Sequence, residues 1–173
     1  MAHATTHVRR IYLVRHAIAE ARGPAWPRDG ERPLTTEGIR RMRGVVRGLA
    51  ALGVAMDVVL TSPLVRARQT ADILVRDLPV PLAPINLVEL APGRTPFDVA
   101  RAVARRTDAG ALALVGHEPG LGELAAWLLG TAEPLAFRKG GVCCLDVPAW
   151  PPAPSSRLVW MATPKMLRAL RRP

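Results

Sequence analysis

Each of three short apolar runs in this sequence is followed by a residue that could handle phosphate. The runs are Ile11–Val14 with Arg15 and His16 after it, Val58–Leu60 with Arg66 shortly after it, and Ala111–Val115 with His117 after it. Phosphoryl transfer spreads negative charge over three oxygens, so a site needs several fixed cations and a nucleophile in line with the leaving group. A neutral imidazole can be that nucleophile, and guanidinium groups pair well with phosphate. The residue types therefore predict phosphoryl-transfer chemistry.

Short buried strands are the elements that would position these side chains. The four residues between Arg10 and Arg15 are too few for a helix and are typical of a strand buried on both faces. Ligands in open α/β sheets bind beyond the carboxyl ends of the strands, so we expect Arg15 and His16 to lie at a crevice. An isolated pair of this kind could also be a solvated strand end beside a half-buried imidazole. The other two runs favour the crevice.

Helical segments alternate with the apolar runs. The segment Pro33–Gly38 is typical of a helix start, with a threonine cap and an acidic residue in the first turn, and Gly53 marks the end of that helix. Ser62 and the proline after it open a second helix, which puts Arg66 in the first turn, close to the end of the strand. Arg68 lies two positions further on and is expected to face solvent.

The remaining segments continue the alternation of strand and helix. They are a strand over Ile85–Leu90, a helix from Thr95 or Pro96, a helix from Pro119 to Gly130, and two edge strands, Val142–Val147 and Leu158–Met161. This pattern predicts a three-layer α/β/α sandwich with a mainly parallel central sheet. Two loops rich in proline could act as lids, Glu20–Arg32 and Pro148–Pro154. Trp26 in the first loop could lie over the substrate or plug the edge of the core.

The chain is predicted to form one domain. With 173 residues, of which 49% are hydrophobic, it is large enough for a sheet covered on both faces. Residues 1–8 are expected to form a flexible tail, and His3 and His7 in that tail are set aside as ligands. The domain itself is predicted to span residues 9–173.

The chain is strongly basic. Its formal charge is +10, from 24 lysines and arginines against 14 acidic residues, and only Lys139 and Lys165 are lysines. Guanidinium favours paired contacts with phosphate, so this balance suits an anionic substrate and speeds its encounter with the protein. Nucleic acid would also be attracted. The arginines are dispersed, however, and no aromatic residues interleave with them for base stacking, so we expect no nucleic-acid partner.

The cysteines and the N-terminal residues predict a reduced, cytoplasmic protein. Cys143 and Cys144 are adjacent on a predicted strand and point to opposite faces, so a disulfide between them would be strained. The sequence has no metal-ligand spacing, no apolar run of membrane-spanning length and no apolar core of a signal peptide at its start. We therefore expect no metal, no cofactor and no membrane partner.

Five motifs follow one another along the chain, in the order LVRHA, RPLTTEGIRRM, LTSPLVRARQTA, VELAP and LVGHEPGLGEL. One of these alone would be a weak indication. The ordered set, between about Arg10 and Leu145, resembles the histidine phosphatase superfamily, in the branch that contains the phosphoglycerate mutases. Within that branch it resembles the short bacterial phosphohistidine phosphatases. The resemblance implies a phosphoglycerate mutase-like fold and a hydrolase with a phosphohistidine intermediate.

The resemblance also implies roles for the four candidate residues. His16 would be the nucleophile, transiently phosphorylated on a ring nitrogen, while Arg15, Arg66 and His117 would hold the phosphoryl oxygens. For attack, the His16 ring must be neutral, with its other nitrogen donating a hydrogen bond that fixes the tautomer. The family signature usually reads Arg-His-Gly, and Ala17 stands in the glycine position. We expect an ordinary negative φ at Ala17, because a positive φ would make the methyl group costly.

Several acidic residues could protonate the leaving group. Many relatives use a carboxylate from the segment after the third strand, where Glu89 lies, and Glu89 is our candidate catalytic acid. Glu118, beside the second histidine, is another candidate, although we expect it rather to be a helix-start or surface carboxylate. Glu20 and Asp29 in the entry loop are further candidates. Glu20 and Ser62 are also candidate substrate-binding residues.

The shortness of the loops limits the classes of substrate that we expect. A mutase, or a phosphatase of larger metabolites, usually carries long insertions that close over the substrate, whereas an open site could admit a phosphorylated side chain of another protein. We expect a metal-independent phosphatase that removes phosphate from phosphohistidine in a protein, and hence a role in signal transduction. The alternatives are a small-molecule phosphomonoesterase with the same catalytic residues and a non-catalytic module that binds phosphate or protein.

Overall fold

A six-stranded sheet forms the middle layer of the molecule. The computed structural model describes residues 8–148 and 156–170. In this part of the chain the strands are β1 (Arg9–Arg15), β2 (Val58–Thr61), β3 (Ile85–Asn86), β4 (Ala111–Gly116), β5 (Val142–Val147) and β6 (Arg157–Ala162), in the spatial order β3-β2-β4-β1-β5-β6. Only β5 runs against its neighbours, so the expected mainly parallel sheet is confirmed.

Helices cover both faces of the sheet. They are α1 (Thr36–Ala51), α2 (Val65–Asp77), α3 (Pro96–Arg106), α4 (Gly120–Leu129) and α5 (Pro164–Ala169). One hydrophobic core joins α1, α2 and α5 to one face of the sheet, and a second core joins α3 and α4 to the other face. The predicted three-layer α/β/α sandwich is confirmed.

Strand β5 contributes to both cores. Cys143 packs in the core of α3 and α4, and Cys144 packs in the core of α1 and α2, so the two side chains do point to opposite faces. Both thiols are free and buried, and burial raises the pKa of Cys143 to about 12. The prediction that β5 is an edge strand is wrong. It lies between β1 and β6, and all six of its residues are buried. The apolar composition of this segment does not tell whether the strand pairs on one side or on both.

The third predicted strand is much shorter than expected. Of Ile85–Leu90, only Ile85 and Asn86 pair with β2, and Val88–Leu90 forms a 3-10 turn. Leu87 and Leu90 are the buried residues of this segment, and their separation by three positions is that of a turn rather than a strand. Glu89 therefore lies on a turn outside the sheet.

The helix starts follow their predicted capping residues. The Thr35 hydroxyl accepts a hydrogen bond from Gly38 N before α1, and Thr95 forms a reciprocal capping box with Asp98 before α3. Gly130 ends α4 with a φ of 69°. Helix α5 was not expected, because six residues are too few to show a helical period.

Two expectations fall on parts of the chain outside the described residues. They are the flexible tail with His3 and His7, and all but the first residue of the Pro148–Pro154 loop. No helix in the described ranges combines the length and the apolar composition needed to cross a membrane.

Candidate active site

The four candidate side chains meet in one cleft, at the carboxyl ends of the parallel strands. Arg15 ends β1 and His16 follows it, His117 follows β4, and Arg66 lies in the first turn of α2, just after β2. All four line a cleft of about 530 Å³. Parallel pairing of Arg15 with Gly116 sets the two histidines side by side, with their ring centroids 5.0 Å apart.

His16 is held as a neutral imidazole. The residue is 7% exposed, and its Nδ1 lies 2.7 Å from the carbonyl oxygen of Ala17. Because a carbonyl oxygen only accepts, Nδ1 carries the proton and Nε2 keeps its lone pair. Burial lowers the pKa of His16, the hydrogen bond to Ala17 opposes this, and the charges of Arg66 and Arg15 add to it, so the pKa is about 4. The ring can therefore act as a nucleophile at neutral pH.

Ser62 orients His117. Its hydroxyl oxygen lies 2.8 Å from Nε2 of His117 and also accepts a hydrogen bond from Leu64 N at 3.3 Å. Among the described residues, Nε2 of His117 is the one acceptor within hydrogen-bond distance of the buried Ser62 hydroxyl, so we assign the proton of the His117 ring to Nδ1. Nδ1 is buried and has no partner among the described residues, and burial and the nearby His16 lower the pKa of His117 to about 3. Ser62, fully buried, contacts His117 rather than the cleft.

Arg15 and Arg66 each keep one unused buried donor. Arg15 donates to the carbonyl oxygen of Phe137 at 2.5 Å, and Arg66 donates to the carbonyl oxygen and the carboxylate of Asp29 at 2.8 and 2.9 Å. The Nε atoms of both arginines are buried and have no partner in the described residues. Unpaired buried donors are costly, and here they and Nδ1 of His117 belong to residues of one cleft. This donor set suits a tetrahedral oxyanion.

Known proteins match this chain in sequence. The family model described as histidine phosphatase superfamily (branch 1) matches residues 11–95. An uncharacterized protein of a Picosynechococcus species is 42% identical over 136 residues, which cover 76% of this chain and 75% of that protein. The chain belongs to the histidine phosphatase superfamily.

Solved structures of other histidine phosphatases share the fold. The protein histidine phosphatase SixA, complexed with tungstate, matches with a TM-score of 0.79 at 25% identity, over 90% of this chain and 97% of that one. The alpha-ribazole phosphatase from Shigella flexneri matches with a TM-score of 0.67 at 19% identity, over 90% of this chain and 96% of that one, which shows the fold alone. As a member of the histidine phosphatase superfamily, this chain is a phosphatase, which is a hydrolase.

Ala17 replaces the usual glycine of the histidine phosphatase signature at little cost. No non-glycine residue in the described ranges has a positive φ, so the expectation of an ordinary backbone at Ala17 is confirmed. Its N–H donates to the hydroxyl of Thr70 at 3.1 Å, and that hydroxyl donates to the carbonyl oxygen of Arg66 at 2.7 Å. These bonds tie the residue after His16 to the helix that carries Arg66.

The entry loop brings Asp29 into the cleft as a fixed anion. Its carboxylate accepts hydrogen bonds from Arg22, Arg32 and Arg66, each at 2.9 Å. Burial raises the pKa of Asp29, but the hydrogen bond from Arg32 and the charge of Arg66 outweigh it and bring the pKa to about 2. A carboxylate in this state has no proton to donate at neutral pH, so Asp29 orients Arg66. Sequence reasoning missed this role because 37 residues separate the two partners.

The other predicted acids differ in their position relative to the cleft. Glu118 lines the cleft, but its two oxygens accept hydrogen bonds from Phe137 N at 2.6 Å and Gly122 N at 3.1 Å. Glu89 lines two neighbouring cavities, one of them shared with Glu118, and not the cleft of His16. Glu20 also lies outside that cleft, and its backbone carbonyl accepts from an arginine of the entry loop. Neither Glu89 nor Glu20 thus lines the cleft that holds the nucleophile.

Several lining residues were not predicted from sequence. Arg22, Arg32 and Lys139 line the cleft, as does Trp26, which was expected either there or at the edge of the core. Lys139 reaches the cleft because the next residue, a glycine, donates its N–H to the carbonyl oxygens of Arg15 and His16 at 3.1 Å each. Nothing in the sequence indicates that this loop packs against the end of β1. In the described residues, no group of three or more acidic, histidine or cysteine side chains could hold a metal.

Proposed function

We propose that this phosphatase removes phosphate from phosphohistidine in a protein, through a phosphorylated His16. The composition of the cleft carries the proposal. The lining residues supply a neutral imidazole and unpaired donors of two arginines, whereas both lining carboxylates, Asp29 and Glu118, accept hydrogen bonds from protein donors at each of their oxygens. Such a site favours a leaving group that needs no protein acid. The likeness to the protein histidine phosphatase SixA supports the same substrate class.

The reaction has two displacements at phosphorus. The Nε2 atom of His16 attacks phosphorus as the bond to the substrate imidazole breaks, and Arg15, Arg66 and His117 donate to the phosphoryl oxygens. A substrate imidazole whose second nitrogen is protonated departs as a neutral molecule, whereas an alkoxide must gain a proton as it leaves. Water then attacks the phosphorylated His16, phosphate is released, one water proton passes to solvent, and the electron pair of the P–N bond returns to Nε2.

Substrate profiling of the wild-type protein, together with the activity of the His16→Ala variant, tests this proposal. We expect single-turnover dephosphorylation of a phosphohistidine protein to be much faster than that of sugar and carboxylic-acid phosphates, and His16→Ala to abolish it. We expect Arg15→Ala and Arg66→Ala to lower kcat about 10²–10³-fold, as removal of other fixed oxyanion donors does. A clear preference for a metabolite would overturn the substrate assignment, and wild-type rates in His16→Ala would overturn the mechanism.

Metal independence is part of the proposal. The guanidinium groups of Arg15 and Arg66 already supply the positive charge that a divalent cation would bring to the phosphoryl oxygens. Activity should therefore be unchanged after dialysis against a chelator. Loss of activity that returns with added Mg²⁺ would contradict this expectation.

A small-molecule phosphomonoesterase is the second candidate. The observation that favours it is the cavity beside the cleft, where Glu89 shares the lining with His117 and could protonate an alkoxide leaving group. Replacement of Glu89 by Gln separates the two candidates. We expect no change in the rate on phosphohistidine, whereas an esterase that uses Glu89 as its acid would lose turnover of phosphate esters.

A further inference from the structure

A second cleft opens beside the catalytic one, and its charged residues are all basic. It has a volume of about 600 Å³ and lies between α1, α5 and the loop of residues 138–140. Ile18, Met42 and Val45 give it apolar walls. Its charged lining residues are Arg15, Arg41, Arg138, Lys139, Lys165 and Arg168, and no carboxylate of the described chain lines it. We call it the basic cleft.

The basic cleft is continuous with the catalytic cleft. Arg15 and Lys139 line both. The loop between them is fixed, because Gly140 N donates to the carbonyl oxygens of Arg15 and His16, and Gly141 O accepts from Arg15 N, all at 3.1 Å. Gly140 has a φ of 79°, a conformation that favours glycine. The backbone of residues 138–140, which carries Arg138 and Lys139, is therefore attached to the end of β1 next to the nucleophile.

Most of the positive charge of the basic cleft is not compensated. Arg138, Lys139 and Lys165 are exposed, and none of them forms a salt bridge within the described residues. Arg41 is paired with Glu37, which lies outside the lining. A concave surface that carries charges of one sign raises the local concentration of groups of the opposite charge. The basic cleft should therefore attract acidic groups toward the active site.

We infer that the basic cleft docks an acidic segment next to the phosphorylated histidine of the substrate protein, an inference that rests on the proposed function. A small anion is a less suitable occupant of the basic cleft, because a site for one would need buried, fixed donors such as those of Arg66. Arg138 and Lys165 instead present exposed charges on flexible stems, which suit several carboxylates and act mainly on association. Single-stranded nucleic acid would call for stacking platforms, and no aromatic side chain of the described chain lines the cleft.

Matched peptides test this inference on the full-length protein. Two peptides carry the same phosphohistidine, one flanked by glutamates and one by lysines, and free phosphohistidine is the reference without flanks. We expect kcat/KM to favour the glutamate peptide by about tenfold at low ionic strength, with the preference shrinking as salt rises. The variant with Arg138→Glu and Lys165→Glu should lose the preference through KM and keep its rate on free phosphohistidine.

The control variant carries Arg101→Glu and Arg105→Glu on α3. Both arginines are exposed on the opposite face of the sheet, so this variant has the same change in net charge and should keep the preference. Equal rates on the two peptides in the wild type would overturn the docking surface and leave the proposed function standing. The docking surface would also be overturned if the control variant lost the preference as much as the variant with Arg138→Glu and Lys165→Glu. It would be overturned as well if that second variant lost as much rate on free phosphohistidine as on the glutamate peptide.

Two further outcomes overturn the inference in distinguishable ways. If the wild-type protein hydrolyses phosphate esters but neither peptide nor free phosphohistidine, the proposed function fails and the docking surface fails with it. If a single-stranded RNA inhibits more strongly than the glutamate peptide, and Arg138→Glu with Lys165→Glu removes that inhibition, the basic cleft belongs to nucleic acid.

Discussion

The two site histidines are neutral for the same physical reason, which is burial among cations. Burial is the largest cause of the lowered pKa of both His16 and His117, and the charge of Arg66 lowers both further. The rings differ in their hydrogen bonds. His16 donates from Nδ1 to a carbonyl oxygen, which frees Nε2, whereas Nε2 of His117 faces the Ser62 hydroxyl, which leaves Nδ1 as the donor. One imidazole is thus prepared to attack phosphorus and the other to bind its oxygens.

The lowered pKa values of the two histidines predict that the folded protein becomes less stable as the pH falls. His16 has a pKa of about 4 in the folded protein and about 6.5 when unfolded. Between these values the unfolded chain binds the extra proton, so the free energy of unfolding should fall by about 2 kcal/mol for each such histidine from pH 7 to pH 5. Urea denaturation at the two pH values measures this. His16→Gln should show a smaller difference than the wild type, and equal differences would contradict the assignment.

Ser62 is predicted to act through His117. Without its hydroxyl, Nε2 of His117 loses the donor that keeps the ring proton on Nδ1, so Ser62→Ala should lower kcat about tenfold or more with little change in KM. Steady-state kinetics on a phosphohistidine substrate measures kcat and KM separately. Thr61→Val is the control, because it removes a neighbouring buried hydroxyl that donates to the Ser62 carbonyl oxygen and, among the described residues, makes no bond to His117. A similar loss of kcat in both variants would indicate a general effect of the strand end.

At the scale of elements, close approach between backbones decides where the helices sit. A Cβ atom at Gly38 would lie 2.0 Å from the carbonyl oxygen of Ile18, so α1 can press against the segment after His16 only through glycine. Similarly, a Cβ atom at Gly48 would lie 2.1 Å from the carbonyl oxygen of Leu167, which brings α5 against α1. These two contacts hold the walls of the basic cleft together.

Gly48→Ala should therefore displace α5. Since backbone atoms cannot yield as a flexible side chain does, we expect a loss of about 1–3 kcal/mol in the free energy of unfolding. Chemical denaturation measures it. Gly120→Ala at the start of α4 is the control, because nothing lies within 4 Å of its Cβ position, and it should be neutral or slightly stabilising. Equal stabilities of the two variants would contradict the packing argument.

At the scale of the whole molecule, anion binding should couple to folding. The unpaired donors of Arg15, Arg66 and His117 exist as a set only in the folded chain, so a tetrahedral anion should bind the folded state alone. Tungstate at about 100 times its Kd should add about 2.7 kcal/mol of stability and raise Tm. Thermal unfolding with and without tungstate measures this. Arg66→Ala should show a much smaller shift, and an equal shift would place the anion elsewhere.

The sequence by itself determined the alternation of strands and helices, the capped helix starts and the four candidate residues, Arg15, His16, Arg66 and His117, that the cleft brings together. Local patterns were enough for this, because strand ends and helix first turns are read from neighbouring residues, and parallel strands bring their carboxyl ends to one edge. Only the tertiary structure decided which carboxylates were available. Asp29 is held by arginines, Glu118 by backbone N–H groups, and Glu89 lies on a turn outside the cleft. Those contacts join residues far apart in the chain, where no local period or spacing reports them.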